Sequence, residues 1–356
     1  MNKKESDKLI SSLLQKWYEH HKRSLPWRGI RDPYTVWISE IILQQTRVNQ
    51  GYDYFLRFIE KFPDIRSLAN APEDDVLKIW QGLGYYSRAR NLHAAARQIM
   101  EKFDGVFPVS YSDILSLKGV GEYTAAAISS IVFNLPRAVV DGNVYRVLSR
   151  LFAIDEPADT TSGKKLFAEM AKYILDERHP GNHNQAIMEL GALVCTPKQP
   201  QCHLCPLQTI CLAFEKGKVL DFPVKRGKTI QRERFFNYFH IEHNGYTYIK
   251  KRDSSDIWKN LYEFPLIETE AKYDLLQLQE SKELATLIPS TDSAYFQHKI
   301  RLKHVLSHRI IHADFYRIEL NEQGCFDLEK KFIKIESASL SEYPVSRLIH
   351  KYLETI

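Results

Sequence analysis

The sequence predicts two parts of different architecture, an all-α front and an α+β back. Apolar residues recur at helical spacing through the first 215 residues, strand-like alternation is scarce there, and the texture changes after Pro223. In the front, Leu9, Ile10, Leu13, Leu14 and Trp17 form one helical face. Val36, Trp37, Ile38, Ile41 and Ile42 form a second, and Phe55, Leu56, Phe58 and Ile59 a third. Pro26, Pro33, Pro63, Pro72 and Pro108 mark breaks between helices. In the back, residues 235–250 read FFNYFHIEHNGYTYIK, rich in aromatic and β-forming residues, with Asn244-Gly245 as a hairpin turn. Residues 313–320 give a second strand, and Pro344 precedes a closing helix with Val345, Leu348, Ile349 and Leu353 on one face.

A length of 356 residues suits two or three domains, and 44% hydrophobic with 26% charged residues is ordinary for a globular chain. Met1 to Lys16 contains no apolar stretch of the signal-peptide kind, and no apolar run is long enough to span a bilayer. The expectation is a cytosolic monomer without a membrane partner, nucleoid-associated if bacterial. A net charge of +5 is compatible with nucleic acid. Residues 225–234, KRGKTIQRER, hold five basic residues and one acid. By itself such a run is a solvated linker; beside a nucleic-acid domain it becomes a phosphate contact.

Four of the five cysteines fall within seventeen residues, spaced Cys195-x6-Cys202-x2-Cys205-x5-Cys211, while Cys325 lies far away. In a cytosolic protein this clustering argues for metal over disulfides. Zinc sites usually pair two tight arms, and only one is present here. Irregular spacing suits a [4Fe–4S] cluster, so spacing leaves the metal open with iron–sulfur ahead. Lys198, His203 and Lys216 around the loop would offer positive charge to a phosphate backbone.

Residues 115–127, LSLKGVGEYTAAA, place Gly119 and Gly121 directly before an Ala-rich helix. The start of that helix offers unpaired N–H groups and a positive dipole end that suit a phosphate. An ordinary interhelical turn looks the same, but helices on both sides give the helix–hairpin–helix pattern of DNA-backbone binders, which hold nucleic acid without reading its sequence.

Two carboxylates stand out. Paired carboxylates with split pKa values serve glycoside chemistry, one protonating the leaving group and the other stabilising a sugar cation. Glu40, in VWISEIILQQTRV, shares a helical face with Trp37, Gln44 and Arg47. Asp141, in AVVDGNVYRVL, precedes a helix containing Val144, Val147 and Leu148. The ordinary readings are a surface glutamate and an N-cap, with Asp141 or Asn143 as the cap, and residue physics alone singles out neither.

A resemblance does. LPWR at 25–28, SEIILQQT at 39–46, GLGYYSRARNLH at 82–93, LKGVG at 117–121, VDGNV at 140–144 and the cysteine spacing resemble the adenine DNA glycosylase (MutY) family. The likeness covers nearly the whole chain, with the most specific motifs in the first 215 residues. It implies an all-α helix–hairpin–helix core over residues 1–215, with a six-helix barrel at about 28–135 and an iron–sulfur subdomain from 1–27 and 136–215. A basic linker at 216–233 and a Nudix-like lesion-recognition domain at 234–356 follow.

The resemblance also implies roles. Glu40 is the general acid, and Asp141 stabilises the sugar cation through charge alone or a transient covalent bond. Tyr123 supports this chemistry by hydrogen bonding, and Asn143 is a polar partner. Gln45, Leu83 and Tyr85 wedge into the duplex, with Thr46 beside them on the DNA, and Arg28 lies near the flipped base. Gly119 and Gly121 hold the backbone, and Cys195, Cys202, Cys205 and Cys211 ligate a [4Fe–4S] cluster that shapes DNA binding. The implied substrate is duplex DNA with adenine opposite 8-oxoguanine or guanine. The sibling endonuclease III family carries a lysine where this chain has Tyr123; a lysine can form a Schiff base and tyrosine cannot, so a monofunctional enzyme is expected.

In the back half, residues 257–265 look like the strand–turn motif of Nudix-like domains, with Asn260 where glycine is common. Leu306-Ser307-His308 matches a loop that contacts the oxidised guanine, with Leu306 where an aromatic is usual and Ser307 and His308 as the contacts. No dense glutamate motif for magnesium follows Phe264, so this domain is expected to recognise and not to hydrolyse. The competing readings are a bifunctional glycosylase/lyase for oxidised pyrimidines, a non-catalytic DNA-binding protein with a structural metal, and nucleotide hydrolysis by the back domain. Removing residues 230–356 is expected to weaken preference for 8-oxoguanine while leaving some excision.

Overall fold

The computed structural model describes residues 3–224, 227, 231–253, 256–288, 294–320 and 328–356. Lys225, Arg226 and Lys228 of the basic run, and Cys325, lie outside the described residues. The chain divides into two compact units, residues 1–70 with 94–227 and residues 71–93 with 228–356. Residues 71–93 thus pack with the back half, whereas the motif-based boundaries put them in the front.

Among the described residues the chain is helical up to Asp221: α1 Lys3–His21, α2 Pro33–Leu43, α3 Val48–Lys61, α4 Ile65–Asn70, α5 Glu73–Ile79, α6 Ser87–Lys102, α7 Tyr111–Ser116, α8 Glu122–Ile131, α9 Gly142–Leu151, α10 Thr161–Tyr173, α11 Pro180–Leu193 and α12 Leu212–Glu215. Helix α2 starts with Pro33 in its first turn, capped by the Asp32 side chain, which accepts from Thr35 N–H. It stops at Leu43, and Gln45 takes φ 56° in the turn that follows. Arg47 therefore caps the start of α3 and does not share a helical face with Glu40, which corrects the expectation from spacing. Trp37 turns away into the core, edge-on to Phe107.

One core of the first unit gathers Leu14 and Trp17 of α1, Val144 and Leu148 of α9, Phe167 of α10, and Ile187 and Leu190 of α11. Helix α11 approaches α9 closely at Gly191, where a Cβ would lie 2.7 Å from that of Asn143. Any side chain there would force the two helices apart and displace Asn143.

The second unit is built on a mixed sheet. Its elements are β1 Arg232–His243, β2 Tyr246–Lys251, β3 Tyr262–Glu263, β4 Leu266–Thr269, α13 Leu275–Gln279, α14 Lys282–Leu287, β5 Ala294–Val305, β6 Arg309–Leu320, β7 Ile333–Glu336 and α15 Arg347–Leu353. The strand order is β3-β2-β1-β6-β5, with β4 also on β1 and β7 also on β2. Strands β1 and β6 run parallel at the centre; the other pairs are antiparallel. Asn244 and Gly245, at φ 48° and 81°, close the β1–β2 hairpin with the positive φ pair that such tight turns require.

Period-two alternation on β1 separates two cores. Phe236 and Tyr238 join Phe315, Leu348 and Tyr352 on the α15 face, while Phe239 and Ile241 join Leu278, Leu284 and Tyr316 on the α13–α14 face. Residues 71–93 are tied to this unit by Asp74, which accepts from Lys251 Nζ at 2.6 Å and Tyr262 Oη at 2.9 Å. Tyr86 Oη also donates to the Val345 carbonyl at 3.1 Å.

Candidate active site

A cavity of about 480 Å³ opens in the first unit, where α2, α8, α9 and α11 converge. Glu40 reaches it from α2, Tyr123 from α8, Asp141 and Asn143 from the start of α9, and Met188 and Glu189 from α11. Arg23, Trp27 and Arg28 come from the segment before α2, and Gln45 and Thr46 from the turn after it. Residues spread over 170 positions of sequence thus meet around one space.

Glu40 borders the cavity but is deeply enclosed. Burial pushes its carboxyl up to about 7, and the negative charge of Asp141 adds to this; the hydrogen bond from Tyr123 and the charge of Arg28 oppose it. Tyr123 Oη donates to Glu40 Oε2 at 2.9 Å, and burial with the nearby carboxylates holds the phenol well above its ordinary range. At neutral pH Glu40 is therefore poised between acid and base, the state a general acid–base residue requires.

Asp141 is indeed an N-cap, and more. Its Oδ1 accepts from the Asn143 and Val144 N–H groups at 2.9 and 2.8 Å, and its Oδ2 from Asn143 Nδ2 at 2.8 Å. Burial raises its pKa, against these bonds. The carboxylate is fixed at a helix start, where backbone dipoles favour negative charge.

Glu189 behaves in the opposite way. Burial alone would push its carboxyl up, but hydrogen bonds from Arg23 and Arg28 outweigh it and hold the group down at about 2. Arg28 meets it with two donors at 2.8 and 2.6 Å, and Arg23 does the same at 2.8 and 2.6 Å. The sequence expectation put Arg28 in this pocket but passed over Glu189, Arg23 and Met188. The available signal for Glu189 was a lone acid inside the apolar stretch AIMELGAL.

Comparison with known proteins bears on this arrangement. Residues 38–173 match the model of the HhH-GPD superfamily of base excision DNA repair proteins, and residues 237–355 match that of the NUDIX domain. An adenine DNA glycosylase of Buchnera aphidicola (subspecies Baizongia pistaciae, strain Bp) is 34% identical over 322 residues, covering 89% of this chain and 88% of the relative. The chain belongs to the adenine DNA glycosylase family. The human family member is 33% identical over 368 residues, covering 87% of this chain and 67% of the relative. A solved thermostable thymine-DNA glycosylase superposes with a TM-score of 0.56 at 28% identity, covering 60% of this chain and 98% of that one. The protein is thus a DNA glycosylase of base excision repair, with a helix–hairpin–helix core and a Nudix-like back domain.

Helices α7 and α8 flank Gly119 and Gly121. Gly119 takes φ 76°, and Gly121 caps α8 with open space where a Cβ would stand. The backbone at the start of α8 is therefore accessible to a phosphate. The four cysteines Cys195, Cys202, Cys205 and Cys211 line one small cavity with Pro200 and Phe214. Among the described residues, no group of three or more His, Cys, Asp and Glu stands in the geometry of a single metal ion. The buried arginines of α9 brace this loop. Arg146 donates to the Cys195 carbonyl at 2.7 Å and to Asn143 Oδ1 at 2.8 Å, and Arg150 donates to Cys195 Sγ at 3.3 Å.

In the second unit a cavity of about 450 Å³ is lined by Tyr85, Tyr86 and Arg90, by Ile257 and Trp258, and by Leu306 to Arg309. Tyr85, Ser307 and His308 line this one cavity. Tyr85 is exposed at φ 48° directly after Gly84, whereas Leu83, between the positive-φ residues Gly82 and Gly84, is buried. Trp258 and Asn260 take φ 60° and 65°, which accounts for glycine being common at the position Asn260 fills. Backbone held in such sparsely populated conformations clusters at binding sites.

Proposed function

We propose that this protein hydrolyses the N-glycosidic bond of adenine facing 8-oxoguanine or guanine in duplex DNA, leaving an abasic site and an intact strand. The observation that carries the reading is the enclosed pair of Glu40 and Asp141 in one cavity, with Glu40 still able to hold a proton near neutral pH. A purine leaves its sugar readily once a ring nitrogen is protonated, and Glu40 supplies that proton. As the bond breaks, positive charge develops on the sugar and the Asp141 carboxylate stabilises it. Glu40, now ionised, accepts a proton from the water that attacks the sugar carbon. Tyr123 orients Glu40 and has no amine with which to trap the sugar, so no Schiff base forms.

Glu189, whose two oxygens are both taken by Arg23 and Arg28, holds these two arginines at the edge of the same cavity. In the back domain, Tyr85, Ser307 and His308 receive the oxidised guanine. The four cysteines suit a [4Fe–4S] cluster: four thiol side chains border one cavity too small for a large ligand, and iron would displace their protons. Such a cluster would hold the 195–211 loop in its DNA-facing shape.

The test is single-turnover adenine release from otherwise identical duplexes with adenine opposite 8-oxoguanine or guanine, with borohydride present in parallel. Faster release opposite 8-oxoguanine without covalent capture is expected. Excision of an oxidised pyrimidine with efficient capture would overturn the proposal.

A further inference from the structure

We infer that Asp256 is a positioning residue for the turn at 306–308, and thereby for recognition of the base opposite the excised one. This rests on the lesion-reading role proposed above for that turn. Ser307 and His308 are exposed at the tip of the β5–β6 hairpin, which the Leu306 N–H closes by donating to the Arg309 carbonyl at 2.8 Å. Tight two-residue hairpin turns match the twist of their strands when the central residues take positive φ. Neither Ser307 nor His308 does so. A turn with that weak intrinsic preference depends on anchors outside itself.

The structure provides them. Gln231 Nε2 donates to the Leu306 carbonyl at 2.8 Å, and the Arg232 N–H donates to the His308 carbonyl at 3.1 Å. The third anchor is charged: Arg309, directly after His308, pairs through Nη1 with Asp256 Oδ1. The other oxygen of Asp256 accepts from Arg234 Nη1 at 2.7 Å and faces Arg252 Nη2 at 3.3 Å. One carboxylate thus gathers arginines from β1, from the end of β2 and from the start of β6.

The three arginines differ in what else holds them. Arg234 grips Glu268 with two donors at 2.6 and 2.7 Å, and Arg252 pairs with the buried Glu263. Among the described residues, the ion-pair partner of Arg309 is Asp256. Loss of Asp256 leaves Arg234 and Arg252 paired with Glu268 and Glu263 but takes the ion pair from the Arg309 side chain, next to His308. Asp256 also immediately precedes Ile257 and Trp258, which form the facing wall of the cavity. It therefore sets the spacing between the two walls that would hold a base.

The experiment compares full-length wild type, Asp256→Asn, Asp256→Glu, Arg309→Gln, the Asp256→Asn/Arg309→Gln double variant and the Ser307→Ala/His308→Ala pair. Single-turnover rate constants and half-saturation are measured on the 8-oxoguanine and guanine duplexes, with thermal melting recorded for each protein. Asp256→Asn is expected to lose about five- to tenfold of the preference for 8-oxoguanine, with the larger loss on the 8-oxoguanine duplex. Asp256→Glu recovers most of it, and the double variant is no worse than Asp256→Asn alone. The inference fails if Asp256→Asn keeps the preference while the Ser307→Ala/His308→Ala pair loses it, or if Asp256→Asn slows both duplexes equally. A wild type without preference sinks the lesion reading itself, and this inference with it.

Discussion

Two cavities of similar volume, about 480 Å³ in the helical unit and about 450 Å³ in the sheet unit, are built for different work. The first holds three carboxylates whose surroundings drive them apart in acidity. The second has one carboxylate, Asp256, and it is committed to arginines; the remaining lining is aromatic, aliphatic, hydroxyl and basic. One is equipped to move protons, the other to recognise. The difference arises less from residue type than from partners. Glu40 and Glu189 line the same cavity, yet one sits near 7 and the other near 2, because Glu40 accepts from a single phenol and Glu189 from two guanidinium groups.

Removing the proton donor tests this contrast most severely. Glu40→Gln keeps the shape and is expected to slow single-turnover excision about 10²- to 10⁴-fold while the protein stays folded. Excision at the wild-type rate would remove Glu40 from the chemistry.

The next largest effect is on stability. Glu189→Gln leaves two guanidinium groups without their shared anion, at a site where Glu189 is 1% exposed. Breaking a buried pair costs roughly 3–5 kcal/mol, and the partial exposure of Arg23 puts this case at the lower end of that range. Urea unfolding monitored by circular dichroism would measure it; an unchanged midpoint would show that the pair contributes nothing net.

Acidity gives a smaller and more diagnostic signal. Excision should fall about tenfold per pH unit above about 7 as Glu40 loses its proton, and Glu40→Gln should lack that limb. The stability consequences have opposite signs. Glu40 is raised on folding, so its favourable term is full below the unfolded carboxyl value of 4.5 and is lost as pH rises through about 7. Glu189 is lowered, so its term is full above 4.5 and is lost as pH falls toward about 2. Denaturation of wild type and the two glutamine variants across this range would separate them.

The smallest change is expected in the second cavity. Ser307→Ala and His308→Ala should each reduce the preference for 8-oxoguanine several-fold, on the order of 1 kcal/mol for one hydrogen bond, with release opposite guanine little altered. Point variants test this better than deletion of residues 230–356. Residues 71–93 pack with that half through Asp74 and Tyr86, so deletion would strip their partners as well.

The helical front, the β1–β2 hairpin and the cysteine loop were legible in the sequence because local rules specify them. Helical periodicity, the positive φ demands of Asn244-Gly245 and the density of cysteine act over a few residues. Strand β5, with its polar and basic alternation, gave no such signal; it is a strand because β6 pairs with it along its length. Motif resemblance named Glu40, Asp141, Tyr123, Arg28, Ser307 and His308. Composition and spacing alone left Glu40 a surface glutamate and Asp141 a cap.

What the sequence by itself determined was which residues form helices and turns, and which side chains are chemically able to act. What only the tertiary structure decided was their acidity and their company. Glu40, Asp141 and Glu189 lie up to 149 residues apart, and none carries an unusual pKa within its own segment. Burial, a phenol from α8 and two arginines from before α2 set the shifts, and each arrives only when the chain folds. Electrostatic energy depends on distance and on exclusion of water, and neither is a property of a single stretch of sequence.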